Sequence, residues 1–450
     1  MAIDTIVARA TPPGRGGVAV IRLSGPKAAT IATTIAGPLP APRQAVLRQF
    51  KNSSGDAVDS GLLLYFPAPN SFTGEEVVEL QCHGGPVVVD LLIDSATRVG
   101  ARMARPGEFS QRAFLNDRLD LVQAEAIADL IDASSEQAAL SAQRVLQGEF
   151  STQVDALAQQ MMNLRVYIEA ALDFPDEEID FLKDHRVTEW LASLQKNIAQ
   201  LLESATQGNL LRDGIRAVIA GPANVGKSTL LNALAGQERA IVTDIAGTTR
   251  DLLRETVSID GLMIEFVDTA GIRDSDDPVE LAGIALAEQA IRDADLLLIL
   301  DAGTEALSDA DQLQLRILEM AKNATPIVVT NKIDITGQAA AVVEDRDRVH
   351  VHVSAKSGAG LELLRTEIAK AAGYRPSEDG VFIARRRHLV ALSQVSQAVE
   401  AGCRSLVEHG AGELLAEELR VAQESLGEIT GTVTSDDLLG AIFSSFCIGK

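Results

Sequence analysis

Arg216-Ala-Val-Ile-Ala-Gly-Pro-Ala-Asn-Val-Gly-Lys-Ser-Thr-Leu-Leu-Asn-Ala-Leu234 is the stretch on which the reading of this chain turns. Ala217 to Ala220 is a short apolar run that predicts a buried strand. Gly221-x-x-x-x-Gly226-Lys227-Ser228 follows, and Leu230, Leu231 and Leu234 then recur at helical spacing. Strand, glycine loop and helix in that order predict a P-loop, in which backbone N–H groups and a helix N-terminus cradle phosphates. Lys227 would reach the terminal phosphates, and the Ser228 hydroxyl would bind Mg²⁺. Taken alone, the same residues could form an ordinary glycine-rich turn, so the motifs downstream decide.

Asp268-Thr-Ala-Gly271 ends a second apolar strand, expected over Met263 to Val267. An Asp there reaches Mg²⁺, usually through water, and the Gly271 N–H can contact a γ-phosphate. Gly247-Thr-Thr-Arg-Asp251 lies between the two motifs, where a switch loop should supply a hydroxyl to Mg²⁺; Thr249 takes that role. Thr330-Asn331-Lys332-Ile-Asp334, after a strand over Pro326 to Val329, selects the base. The Asp334 carboxylate can accept both the imino and the amino proton of guanine, a pair that adenine lacks. Ser354-Ala355-Lys356, after a strand over His350 to Val353, would finish guanine recognition. The expected GTP contacts are therefore Asn224, Val225, Gly226, Lys227, Ser228 and Thr229, Gly247 and Thr249, Asp268, Thr269, Ala270 and Gly271, and the two base-reading motifs.

Ile272 stands where Ras-type enzymes carry the glutamine that orients the attacking water. It cannot hydrogen-bond, so hydrolysis is slow or another residue takes over, and Glu280 is the nearest substitute on the same segment. No arginine finger is identifiable. Asn224 carries a carbonyl oxygen that could help to hold a monovalent cation in the loop.

At 450 residues the chain needs more than one core, and its 46% hydrophobic content marks a globular protein. A net charge of −23 and 4% aromatics argue against direct binding of RNA by a basic, stacking surface. Cys82, Cys403 and Cys447 form neither a disulfide framework nor a zinc pattern, which suits a reducing cytosol. Met1 to Ala10 lacks the apolar core of a signal peptide, and no run has the length of a membrane span, so a cytoplasmic location is expected.

Residues 1–118 read as an α/β domain, with strands near Thr5–Ala8, Val18–Leu23, Val46–Phe50, Leu62–Phe66 and Val77–Cys82 and a helix opened by Pro86. Its loops Thr11–Gly17 and Pro67–Glu75 read equally well as turns or as the lining of a small-molecule pocket. Residues 119–214 show long helical periodicity, too long for one compact helix. An acidic run at Asp173–Asp180 interrupts it, and a further helix is expected around Val187 to Leu211. Residues 215–375 are the nucleotide module, and 376–450 return to helix, ending in Cys447-Ile-Gly-Lys450. Helical texture on both sides predicts a P-loop module inserted into one discontinuous helical domain, with the module's ends close together.

Beyond the nucleotide motifs, the chain carries Thr11-Pro-Pro-Gly-Arg-Gly-Gly17, Phe72-Thr-Gly-Glu-Glu-Val77 and Glu79-Leu-Gln-Cys-His-Gly-Gly-Pro86. It also carries Pro106-Gly-Glu-Phe109, Leu119–Ala126, Leu172–Glu178, Gly427–Gly431 and the Phe446–Lys450 tail. On these residues it resembles, over its full length, the MnmE (TrmE) family of tRNA modification GTPases, of the TrmE-Era-EngA-like class. The resemblance implies an N-terminal tetrahydrofolate-binding α/β domain, a discontinuous all-α domain and an inserted Ras-like G domain. It implies a homodimer that forms a heterotetramer with the flavoprotein MnmG (GidA). The complex would act on carbon 5 of the wobble uridine in certain tRNAs, adding an aminomethyl-type group with a folate carbon from 5-formyl- or 5,10-methylene-tetrahydrofolate.

Carried over, the folate contacts fall on Arg22, Glu79, Arg118 and Lys450; many members have lysine at the position of Arg118. K⁺ beside the phosphates would replace the arginine finger, held by Asn224 and the backbone carbonyls of Thr243, Ile245 and Thr248. That extends the nucleotide-contacting segment to Thr243, Asp244, Ile245, Ala246 and Thr248. The family's water-orienting glutamate falls on Glu280, Mg²⁺ on Ser228 and Thr249, and the tail cysteine of the modification step on Cys447, which otherwise reads as a bystander thiol. Two other readings compete: a ribosome- or RNA-assembly factor that uses hydrolysis as a switch, and a freestanding folate-dependent one-carbon transferase. Acidic, helical flanks disfavour the first.

Overall fold

The computed structural model describes residues 4–173, 185–222, 224–236, 254–268, 288–301, 318–345, 348–375, 381–433 and 435–449. The chain begins with β1 (Ile6–Arg9), β2 (Gly16–Ser24), α1 (Ala28–Ala36), β3 (Val46–Lys51), β4 (Ala57–Phe66), β5 (Val77–Gly84), α2 (Pro86–Arg98), β6 (Arg102–Met103) and α3 (Glu108–Leu115). Four helices follow: α4 (Leu121–Ile131), α5 (Glu136–Leu146), α6 (Glu149–Asp173) and α7 (His185–Asp213). Next come β7 (Ile215–Ala220), α8 (Lys227–Ala235), β8 (Arg254–Ile259), β9 (Leu262–Asp268), β10 (Leu296–Asp301) and β11 (Thr325–Thr330). After α9 (Ile333–Thr336), β12 (Ala341–Asp345), β13 (Arg348–His352) and α10 (Leu361–Ala371), the chain ends in α11 (Arg386–His409), α12 (Gly412–Thr430) and α13 (Asp436–Ser444). The fold is thus α/β plus all-α, with a Ras-like P-loop module between helical stretches. Packing divides the chain into one unit of residues 1–128, 145–198 and 391–450, and a second of 129–144 and 199–390.

In the first unit the sheet runs β3-β4-β5-β2-β1-β6, antiparallel except for β1 with β6. Alternation along the strands sends Val7, Ile21, Leu23, Val78, Leu80 and Cys82 to one face, where Ile31, Ile35 and Leu92 of α1 and α2 cover them. Arg22 and Glu79, paired in register across β2 and β5, take the other face. β4 starts five residues before the apolar run that marks it, because Asp59, Ser60 and Gly61 interrupt the apolar pattern while Ala57–Gly61 pairs through its backbone. Gly61 passes so close to Gln81 that a Cβ there would overlap its carbonyl.

The helical periodicity from Asp120 onward resolves into three helices, α4, α5 and α6, broken at residues 132–135 and at Gly148, whose φ is 88°. α12 runs antiparallel to α6: Gly412 lies beside Ile168 and Leu172, and Gln423 takes a hydrogen bond from Arg165 at 2.6 Å and gives one to the Ala158 carbonyl. Ser435 caps α13, accepting from the Leu438 N–H, and Leu439, Ile442, Phe443 and Phe446 bury against Leu121 and Ala124.

In the second unit the sheet order is β12-β13-β11-β10-β7-β9-β8, parallel except for β8 with β9 and β12 with β13. Ala217 and Ile219 face one core, and Val218 and Ala220 face the other. A strand covered on both faces reads as an unbroken apolar run, which is why β7 was legible. β8 and β9 are joined by a two-residue turn, Asp260-Gly261, with φ of 51° and 88°. Both values are positive, as the tight hairpin turn that follows the strand twist requires. Where the chain leaves α7 and later approaches α11, the two crossings touch. A Cβ on Gly208 would overlap the Phe382 carbonyl, and the Asn209 amide donates to the Ala384 carbonyl at 3.1 Å. Among the described residues no helix is long and apolar enough to cross a membrane.

Candidate functional site

The loops that carry the nucleotide motifs leave the carboxyl ends of parallel strands β7, β9, β11 and β13, the edge at which open α/β sheets bind ligands. After β7 the chain turns through Gly221 (φ 152°), Asn224 (φ 61°) and Gly226 (φ 102°) before α8 starts at Lys227. The first-turn N–H groups of α8 have no carbonyl within the helix, which leaves them for phosphate oxygens. Gly226 must be glycine for a second reason. A Cβ there would lie 2.4 Å from the Asn331 amide nitrogen, well inside contact distance. The buried Lys227 ammonium donates to the Gly221 and Pro222 carbonyls at 2.9 and 3.0 Å, across the mouth of the loop.

The Thr330–Asp334 motif braces the same loop. Asn331, 2% exposed, donates to the Val225 carbonyl and accepts from the Ala355 N–H, both at 3.0 Å. Lys332 (φ 66°) donates to the Asn224 carbonyl at 2.7 Å. Asp334 is exposed at the rim, and Ser354 donates to one of its carboxylate oxygens at 2.7 Å. Its burial would come from the base itself. Loop, Asn331, Lys332, Asp334, Ser354 and Ala355 are therefore one hydrogen-bonded assembly; Lys356 is exposed beside it, and Ser228 and Thr229 occupy the first turn of α8. Thr243, Asp244, Ile245, Ala246, Gly247, Thr248, Thr249, Thr269, Ala270, Gly271 and Glu280 lie outside the described residues, as does the Asp268 side chain.

The second set of expected site residues lies in the first unit. Arg22 donates to Glu79 at 2.9 Å, and its guanidinium sits 5.1 Å from the Phe72 ring and 5.7 Å from that of Phe109. Arg118 packs on Gly74, and Asn116 donates to the Thr73 carbonyl, so Arg22 and Arg118 both border the 71–75 loop. The tail comes to the same sheet. Ile448 bridges to Pro106, the Gly107 N–H donates to the Cys447 carbonyl, and Gly449 (φ 99°) lies against the Arg9 carbonyl, where a Cβ would overlap. Arg9 is one residue from Ala8, the register partner of Arg22. Cys447 is exposed; Lys450 lies outside the described residues.

Sequence reasoning missed the charge network that holds this region. Glu108, 3% exposed, receives Arg102 at 2.7 Å and Arg112 at 3.2 Å; Arg112 also reaches Asp4 at 2.6 Å and Glu75. Although burial pushes the Glu108 carboxyl up, the arginine hydrogen bonds hold it down at about 2. The Arg102 hydrogen bond brings Asp4 to about 2 as well. No local pattern marks these partners, since Asp4 and Arg112 are 108 positions apart. Asp129, which binds Arg212 and Arg385, and the contact of Lys332 with the phosphate loop escaped for the same reason.

A glycine loop running into the N-terminus of α8, and hydrogen-bonded to the motif that carries Asn331, Lys332 and Asp334, is the arrangement of a P-loop nucleotide-binding protein. A family profile described as the GTP-binding protein TrmE N-terminus matches residues 5–118, and one described as the MnmE helical domain matches 121–447. The tRNA modification GTPase MnmE of Proteus mirabilis (strain HI4320) is 53% identical over 450 residues, covering 99% of each chain. Among solved structures, a variant of Aquifex aeolicus Era is 30% identical over 41% of this chain and 66% of its own, with a TM-score of 0.28. The G domain of the T. maritima FeoB iron transporter is 26% identical over 35% of this chain and 98% of its own, also at 0.28. The chain belongs to the MnmE family of tRNA modification GTPases, and it is a GTP hydrolase.

Proposed function

We propose that the chain is a K⁺-dependent GTPase that works with the flavoprotein MnmG (GidA), as a homodimer within a heterotetramer, in the cytoplasm. Its substrate is the wobble uridine of certain tRNAs, to which the complex adds an aminomethyl-type group at carbon 5 with a folate one-carbon unit. Residues 1–118 are the folate domain, 119–214 and 376–450 the helical domain, and 215–375 the G domain. The observation that carries this reading is the seat of the tail: Ile448 on Pro106 and Gly449 on Arg9 bring Cys447 to the sheet that bears Arg22 and Glu79.

Ser228 and Thr249 would hold Mg²⁺, which supplies charge neutralisation for the β- and γ-phosphates when bound. The Asn224 backbone carbonyl is engaged by Lys332, so the Asn224 side-chain oxygen is the one left for K⁺, together with the carbonyls of Thr243, Ile245 and Thr248. Glu280 orients the attacking water in place of the absent glutamine. In the first unit, the Arg22–Glu79 pair and Arg118 offer charge and hydrogen-bonding groups beside aromatic rings, a combination that suits a flat heterocycle with a charged tail such as tetrahydrofolate; Lys450 would complete the set.

The test is single-turnover GTP hydrolysis in K⁺ and in Na⁺, by the wild-type chain and Glu280→Ala, alongside wobble-uridine modification with and without the flavoprotein. Hydrolysis should fall at least tenfold in Na⁺ and in the variant at nearly unchanged GTP affinity. Modification should require the flavoprotein. Full turnover in Na⁺ alone would sink the cation assignment, and modification without the flavoprotein would sink the partnership.

A further inference from the structure

Residues 129–144 pack with the unit that carries the phosphate loop, although they lie far upstream of it in sequence. Two points hold this segment. At its start the buried Asp129 carboxylate accepts from Arg212 at 2.9 Å and from Arg385 at 2.9 and 3.3 Å. A buried carboxylate shared by two guanidiniums is a strong anchor, because removing a partner strands charge. Farther on, Ser135 caps α5 by accepting from the Ala138 N–H, and the Gln137 side chain lies on Gly261. A Cβ at Gly261 would sit 2.5 Å from Gln137 Oε1 and 2.9 Å from its Cγ.

Gly261 belongs to the turn between β8 and β9. That hairpin is paired from Ile259–Leu262 at its tip to Arg254–Val267 at its open end, so it moves as one piece. In sequence its open end is preceded, two residues before Arg254, by Gly247–Asp251 and continues at Asp268 into Asp268–Gly271, the two motifs expected to form the segments that GTPases rearrange with nucleotide state. The tip carries a second contact, in which the Tyr374 hydroxyl donates to the Asp260 carbonyl at 3.0 Å. Beside the first turn of α5, bordered by Asp132, Ser134, Ala138, Arg212 and Ile383, lies a cavity of about 270 Å³. Close-packed interiors resist displacement, and a void beside a helix is room into which it can tilt.

We propose that residues 129–144 form a lever, pivoted at Asp129, that passes the nucleotide state of the β8–β9 hairpin to α5. This rests on the chain's being a GTP hydrolase. The tip of the hairpin pushes on Gln137, α5 tilts into the adjoining cavity, and the Asp129 anchor turns the push into a rotation.

The test is amide hydrogen exchange on the full chain in K⁺, with GDP and with GDP plus aluminium fluoride, read over residues 136–146 and 254–268. In the wild type both stretches should differ at least threefold in rate between the two states. Gln137→Ala should abolish the difference over 136–146 while keeping that over 254–268 and leaving GTP turnover within twofold. Gln137→Met, which restores the length of the side chain, should recover it. A full α5 response in Gln137→Ala, or a wild-type α5 that ignores the nucleotide while the hairpin responds, would overturn the lever. Failure of the wild-type chain to bind either nucleotide, measured on the same samples, would overturn the GTPase assignment and the lever with it.

Discussion

Lys332 donates its ammonium to the carbonyl of Asn224 at 2.7 Å, across 108 positions of sequence. Lys332, two positions before the carboxylate proposed to read the base, is thereby tied to the residue proposed to hold the cation. The Thr330–Asp334 motif and the Gly221–Gly226 loop share one set of hydrogen bonds, and disturbing either end should be felt at the other.

Asn331→Ala should show this most directly. It leaves the Val225 carbonyl and the Ala355 N–H without their buried partner, at a cost of about 2–4 kcal/mol. GTP affinity should drop more than tenfold and the module should melt several degrees lower, as titration and thermal denaturation would report. Wild-type affinity would mean that the loop keeps its shape without the brace.

Asp334→Asn replaces an acceptor with a donor while the Ser354 contact can persist. GTP binding should weaken about a hundredfold, close to 3 kcal/mol, and xanthosine triphosphate should be admitted. A competition assay with GTP, ATP and xanthosine triphosphate checks it, and equal wild-type binding of ATP and GTP would sink the assignment.

Acid should loosen the N-terminal sheet through Glu108. Its pKa is depressed from 4.5 to about 2 in the folded state, so its stabilisation is present above pH 4.5 and is lost as pH falls toward 2. For this nearly inaccessible carboxyl the contribution is about 3 kcal/mol. Asp4 shifts in the same sense, but half-exposed, it contributes less. Denaturant midpoints measured from pH 6 to pH 2.5 should fall steeply in the wild type and flatten in Glu108→Gln.

Two tail variants separate chemistry from docking. Gly449→Val cannot keep its left-handed φ of 99° against the Arg9 carbonyl, so it should lift the tail from the sheet. Cys447→Ser should leave the tail in place. Both should abolish tRNA modification with GTP turnover within twofold, and only the first should raise proteolytic sensitivity near the end of the chain. Normal modification by Cys447→Ser would make that thiol a bystander.

Legibility followed the range of the physical signal. β7, β9 and β11 are apolar runs bounded by motif glycines or polar residues, and their reading came within one or two residues of the observed ends. α2 opens at Pro86 as its sequence indicates, and α7 extends two residues beyond the expected bounds at either end. β12 was missed because Ala341-Val342-Val343-Glu344-Asp345 carries no apolar–polar alternation to detect. Within the candidate site, the expected nucleotide contacts can be proposed from sequence because they cluster in short motifs. The bracing between them was not: Asn331 with Val225, Arg112 with Asp4 and Ile448 with Pro106 are pairings that only the folded chain brings together.

Gly208 against Phe382 and Asn209 against Ala384 give the molecule a property that belongs to topology more than to chemistry. A flexible stretch spanning residues 210–383 would lose about 5 kcal/mol of chain entropy in bringing its ends together. A module whose own fold already places its two ends side by side spares the helices that loss. In topological terms residues 210–383 form a loop whose two ends meet: a linker of a few residues could join Asn209 to Ala384, and a foreign domain with equally close ends could be threaded in their place. Such architecture lets a switch be acquired or exchanged in a single genetic step without redesigning the helices that receive it.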